Sequence, residues 1–125
     1  MKKMPRISES QWQIMKLVWA KNPLTANEII HALSQSTTWN PKTIRTQINR
    51  LVKKQVLAFE KKGREYHYYP LVAEQDCIKA ESSSFLKRVY GGATKPMLAA
   101  LLENVELSAE DINELKQILD NKDRS

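Results

Sequence analysis

"TTWNPKTIRTQINRLVKK", residues 37–54, reads as one helix with two unlike faces. Asn40 is suited to cap it, and Pro41 suits its first turn, where the missing N–H would have no intrahelical acceptor. At about 100° per residue, Ile44, Ile48, Leu51, Val52 and Gln55 fall on one stripe, the side to be buried in a helix over about 41–55. Lys42, Thr46, Asn49, Arg50 and Lys53 fall opposite, Thr43 and Arg45 lie at the flanks, and no acid interrupts them. A face that only solubilises a helix normally mixes charge signs. Cations interleaved with hydroxyl and amide groups are instead the side chains that bond phosphates and base edges. From this stretch alone a solvated face and a nucleic-acid-binding face both stay open.

The flanking sequence narrows that choice. Upstream, Ser8 and Gln11 form an S-x-x-Q capping box, and Trp12, Met15, Val18 and Trp19 recur at helical spacing to about Ala20. Thr25 and Glu28 form a second box before Ile29, Ile30 and Leu33, whose helix runs to about Gln35. Downstream, in "VLAFEKKGREYHYYP" (residues 56–70), Leu57 and Phe59 alternate with polar residues, and Tyr66, Tyr68 and Tyr69 favour strand. "KKGR" is the bend, since Gly63 takes positive φ cheaply, and Pro70 closes the second strand. The hairpin tip carries Lys61, Lys62 and Arg64. Trp12, Trp19, Trp39 and the three tyrosines are assigned to the core, because aromatic side chains dominate the burial of small domains.

Three helices followed by a basic hairpin is the order of a winged helix-turn-helix domain, whose third helix enters the major groove. The chain is thus expected to be mainly α with a small β-hairpin wing, a winged helix-turn-helix domain followed by a C-terminal helical dimerisation arm.

Charge divides the chain of 125 residues at the same place. Residues 1–72 hold nine Lys and four Arg against four Glu, a net of +9, and residues 73–125 hold seven cations against ten acids, a net of −3. So one-sided a field draws polyanions to the first segment. The expected boundary falls near Leu71 to Glu74, with 1–72 as DNA-binding domain and 73–125 as dimerisation region.

The second segment carries three amphipathic stretches. Ile78, Phe85, Leu86 and Val89 share a helix that stops before Gly91 and Gly92; Met97, Leu98, Leu101, Leu102 and Val105 follow; Ser108 and Asp111 box the last helix, seamed by Ile112, Leu115, Ile118 and Leu119. Helices this short do not hold a core alone. Their apolar faces need a partner, most economically the same arm of a second copy, so a homodimer is expected.

Other chemistries find little support. Cys77 is the sole cysteine, His31 and His67 have no third ligand spaced to join them, and no metal or other cofactor is expected. Ser82, Ser83 and Ser84 lack a histidine and acid placed to activate them, no phosphate-binding glycine loop or H-E-x-x-H occurs, and Glu110 and Asp111 sit where they favour a helix dipole, so an enzyme is not expected. The basic start "MKKMPRISES" lacks the apolar run of a signal peptide, and nothing approaches the roughly eighteen apolar residues of a membrane span, so a cytoplasmic protein without stable membrane insertion is expected.

In "TWNPKTIRT", "RLVKK", "GREYHYYP" and "LSAEDINELKQIL" the chain closely resembles the penicillinase repressor family of the BlaI/MecI type, a likeness that runs from "ISESQWQIMKLVW" to the last helix. The resemblance implies a bacterial winged-helix repressor, dimeric through its C-terminal helices, on double-stranded DNA operators with TACA/TGTA inverted repeats. By position, Lys42, Thr43, Thr46 and Arg50 match the family's recognition-helix contacts, and Lys62 and Arg64 its basic wing. In antibiotic-resistance members a membrane sensor protease relieves repression by causing cleavage of an Asn-Phe bond in the arm. The matching bond here is Ala100 to Leu101 in "LAALLEN", a departure that leaves the inducing signal open. Copper-responsive relatives carry a C-terminal cysteine cluster that this chain lacks. The rival reading is a winged-helix adaptor that binds protein without sequence-specific DNA binding, for the fold does not dictate function. Structured RNA fits less well, since its A-form major groove shuts out a helix.

Overall fold

A computed structural model describes residues 4–124; the first three residues of the basic start, and Ser125, lie outside the described residues. The elements are α1 (Glu9–Ala20), β1 (Leu24–Thr25), α2 (Ala26–Ser34), α3 (Pro41–Lys53), β2 (Leu57–Lys62), β3 (Glu65–Pro70), α4 (Glu74–Tyr90), α5 (Thr94–Asn104) and α6 (Ala109–Asp123). Each capping box closes in both directions. Gln11 N–H donates to Ser8 Oγ while Ser8 N–H donates to Gln11 Oε1, and the same exchange links Thr25 with Glu28 and Ser108 with Asp111. These bonds satisfy donors that a helix start otherwise leaves unpaired. Asn40 caps α3 by accepting from Thr43 N–H at 2.8 Å.

Ile14, Met15 and Val18 of α1, Ile29 and Leu33 of α2, and Ile44, Ile48 and Leu51 of α3 meet Val56, Leu57 and Tyr68 in one core. Trp12, Trp19 and Trp39 pack half-buried against it, while Tyr68 alone of the three hairpin tyrosines is buried. Tyr66 and Tyr69 are exposed, against the expectation from sequence: Tyr69 follows buried Tyr68 and so takes the opposite face of the strand, while Tyr66 lies toward the hairpin tip, beyond the core. Near the tip Tyr66 stacks instead on exposed Phe59, with ring centroids 4.3 Å apart.

Gln55 also departs from the expected buried stripe. It is exposed with φ 64°, its N–H donates to the Val52 carbonyl, and Val56 N–H donates to that of Leu51. This is the bonding of a Schellman helix end, in which the residue past the cap turns left-handed so that the next one, here Val56, reaches back into the core. α3 therefore stops at Lys53.

The sheet has one strand more than expected. β1 pairs antiparallel with β3 (Leu24 opposite Tyr68, Thr25 opposite His67), β2 pairs with β3 on its other side, and the order is β1-β3-β2. Between Lys62 and Glu65 only Gly63 and Arg64 form the turn, with Gly63 at φ 65°.

The chain divides into two compact units, Met1–Ser82 and Ser83–Ser125. The start of α4 belongs to the first: Cys77 is buried in its core, Trp19 Nε1 donates to the Val72 carbonyl at 3.0 Å, and Lys16 pairs with Glu74 at 2.8 Å. Burial, then Asp76 and Glu74, raise the Cys77 thiol pKa. In the second unit no described residue of α5 or α6 is buried. Among the described residues no helix is long and apolar enough to cross a membrane.

Candidate nucleic-acid interface

Burial of Ile44, Ile48 and Leu51 orients α3, so that Lys42, Thr43, Arg45, Thr46, Asn49, Arg50 and Lys53 are all exposed, with Asn40 exposed at its cap. Thr46 Oγ1 donates back to the Lys42 carbonyl at 2.9 Å, which leaves its oxygen free to accept. In the wing Lys61 and Lys62 end β2, and Arg64 lies in the turn, all three exposed. Among the described residues none of these lysines and arginines is held in an ion pair. Their charge stays available to an outside polyanion.

Two hydrogen-bonded groups that the sequence did not single out set this face in place. Gln11 is 3% exposed, and its Nε2 donates to Gln47 Oε1 of α3 at 2.9 Å. Its Oε1 accepts from Lys54 Nζ at 2.7 Å as well as from Ser8 N–H, and Lys54 Nζ also donates to the Arg6 carbonyl at 2.7 Å. A buried amide with its bonds made fixes geometry, because breaking one strands a desolvated group. Though Lys54 is exposed over most of its length, partial desolvation of its ammonium, then Arg50 and Arg6, lowers its pKa. Lys54 is thus tied to α1, unlike Lys53. The second group is Asn27 of α2, whose Oδ1 accepts from Arg45 Nη2 at 2.9 Å. Both partnerships join residues far apart in the chain, which periodicity within one helix does not reveal.

The arm residues expected to form a dimer seam are mostly exposed. Phe85, Val89, Leu98, Leu101, Leu102, Val105, Ile112, Leu115, Ile118 and Leu119 are exposed, and Leu86 and Met97 are half-buried. The bond from Ala100 to Leu101 lies inside α5, and the Ala100 carbonyl accepts from Asn104 Nδ2 at 2.7 Å.

The comparisons with known proteins agree along almost the whole chain. The model of the family described as "Penicillinase repressor" matches residues 7–121. The chain is 46% identical over 120 residues to the penicillinase repressor of Bacillus licheniformis, covering 96% of this chain and 94% of that protein. It is 37% identical over 116 residues to the methicillin resistance regulatory protein MecI of Staphylococcus aureus strain N315, covering 93% and 94%. Among solved structures it is similar to the Bacillus licheniformis BlaI monomeric form in complex with the blaP half-operator, with 43% identity and a TM-score of 0.54 over 61% of this chain and 93% of that one.

Proposed function

The chain belongs to the penicillinase repressor family, and from that membership we propose that it is a DNA-binding transcriptional repressor whose α3 reads an operator while its wing grips the backbone. The carrying observation is the acid-free, exposed face of α3 beside a wing whose cations are held in no ion pair among the described residues. The BlaI domain seated on a half-operator supports it, since 43% identity spans that domain. On this reading Thr43, Thr46, Asn49 and Arg50 address base edges, each good contact contributing roughly 1–3 kcal/mol of discrimination. Asn40, Lys42, Lys53, Lys61 and Lys62 hold phosphates and supply affinity by releasing counterions. We read the chain as a cytoplasmic binding protein rather than an enzyme.

The operator we assign is an inverted repeat of TACA/TGTA half-sites bound by a homodimer, with residues 1–72 as the DNA-binding part and 73–125 as the part that pairs. The open apolar faces of α4, α5 and α6 support the pairing, since exposed surface of that extent marks an interaction site. Derepression acts on this arm, by proteolysis or by another signal. If a membrane sensor protease works through the bond between Ala100 and Leu101, α5 must first unwind there, because the bond is helical and its carbonyl is held by Asn104. The test is a gel shift of the full chain on a palindromic TACA/TGTA duplex, a random duplex and a structured RNA. Preference for the palindrome by at least about a thousandfold is expected of specific binding. Equal affinity for all three would return the chain to the adaptor reading.

A further inference from the structure

Between the start of α2, α3 and the wing lies a cleft of about 190 Å³, lined by Asn27, Arg45, Arg64, Tyr66 and Tyr68, with Glu65 at the base of the wing turn. It is smaller than the roughly 300–1,000 Å³ of pockets that enclose drug-sized ligands, and it suits one compact group. Two arginines line it, Arg45 from α3 and Arg64 from the wing turn. Arg45 has one of its donors committed to Asn27, which holds its fork while leaving the other N–H groups unspent. In the first turn of the nine-residue α2 the capping box spends the N–H groups of Thr25 and Glu28, and the N–H groups of Ala26 and Asn27, both in the lining, remain as backbone donors. Tyr66, stacked on Phe59, and buried Tyr68 give the cleft a stiff aromatic wall. Glu65 is the one carboxylate of the lining, against two arginines. Arginine forks and backbone donors are the groups that hold a tetrahedral oxyanion.

We propose that this cleft is a phosphate seat, in which Arg45, oriented by Asn27, and Arg64 together hold one phosphodiester of the DNA backbone between the base-reading face of α3 and the wing. The proposal rests on the reading of α3 and the wing as a duplex-binding surface. It makes Arg45 an anchor rather than a base reader, gives Asn27 a positioning role, and couples α3 to the wing through a single phosphate. A free phosphate-type anion shares the required chemistry, and the experiment separates the two sources.

The full chain and its Asn27→Ala, Arg45→Ala and Arg64→Ala variants are titrated with a palindromic TACA/TGTA duplex in which a methylphosphonate replaces each phosphate in turn. A random duplex is titrated over a range of salt concentrations, and inorganic phosphate is exchanged for chloride at constant ionic strength. Each arginine variant is expected to weaken binding to palindromic and random duplex alike by about tenfold, the worth of a charge-assisted bond. One methylphosphonate position per half-site should cost the unaltered chain a similar factor and cost the arginine variants nothing, with Asn27→Ala in between. On random duplex the arginine variants should flatten the log affinity against log salt slope by about 0.9 for each phosphate lost. Full sensitivity of the arginine variants at every position, or an unchanged slope, overturns the seat. So does selective loss of palindrome preference in Arg45→Ala, which would make it a base reader. Displacement of duplex by inorganic phosphate in the unaltered chain but not in Arg64→Ala, with no coupled methylphosphonate position, assigns the cleft to a free anion and overturns the DNA source. Absence of palindrome preference in the unaltered chain counts against the operator reading instead, and the salt slope on random duplex still decides the seat.

Discussion

The helices of the two compact units carry the same kind of amphipathic pattern and end in opposite states. In Met1–Ser82, Ile14, Ile44, Ile48 and Leu51 of α1 and α3 are at most 1% exposed, whereas in Ser83–Ser125 Leu101, Leu102, Ile118 and Leu119 keep at least half their surface in water. The difference follows from what each helix has to pack on. Around α3 two other helices and a sheet close over the apolar stripe. α5 and α6 have 11 and 15 residues and no buried position among the described residues, and helices this short do not bury their apolar faces unaided. The first unit closes its core and is basic, with 14 cations against 7 acids; the second leaves its apolar faces open and is nearly neutral, with 6 cations against 7 acids. On the proposed function that contrast is a division of labour, one part gripping DNA and the other pairing two grips.

The comparison breaks most readily by cutting it in two. A chain ending at Ser82 should keep a cooperative melt yet lose about 10²- to 10⁴-fold in affinity for a palindromic duplex, the range gained by linking two binding events. Sedimentation should find it monomeric; a truncated chain that still pairs and binds tightly would contradict the division. Next in size are core deletions. Leu51→Ala should lower unfolding free energy in urea by about 2–5 kcal/mol. Ile118→Ala, on the open seam, should leave the unfolding of the first unit unchanged at low protein concentration and weaken self-association. Similar losses from both would erase the distinction between closed and open faces.

Within the basic unit, Arg50→Ala should cost roughly 1–3 kcal/mol on a palindromic operator and less on random duplex. Lys62→Ala should lower both affinities equally, as expected of a phosphate contact. Gln55→Gly should raise stability by about 1 kcal/mol, because a side chain at positive φ is strained where glycine is not. Smallest is an acid effect at Glu28. The backbone and side-chain hydrogen bonds of Thr25 lower its carboxyl pKa from the ordinary 4.5. A depressed folded pKa means that the charged form is favoured by folding, so this contribution is full above 4.5 and fades as pH falls through the lower folded value. Thermal melts of Glu28→Gln should show a shallower loss over that range.

Much of this was legible because the local signals were doubled. Ser8 with Gln11, Thr25 with Glu28 and Ser108 with Asp111 marked three helix starts, and each box is closed in the structure. The hairpin and the break before Gly91 were equally local. β1 escaped because two residues carry no period, and its pairing with β3 depends on where the chain turns after α1. The exposure of Tyr66 and Tyr69 is not legible from composition, because burial in a strand depends on which face a residue takes, as for Tyr69 beside Tyr68, and on how far the hairpin outruns its core, as for Tyr66. The helix end at Gln55 was blurred by the absence of the glycine that usually marks a left-handed cap. At the interface the exposed face of α3 could be read from one helix, but Asn27 beneath Arg45 and Gln11 behind Gln47 join elements across the fold.

The most direct test of paired, basic, duplex-reading units is the affinity and stoichiometry of the full chain on a palindromic TACA/TGTA duplex, measured across salt concentrations. Two chains per duplex and a log–log slope of about −7, for roughly eight neutralised phosphates, are expected. One chain per duplex with a slope near zero would contradict the account.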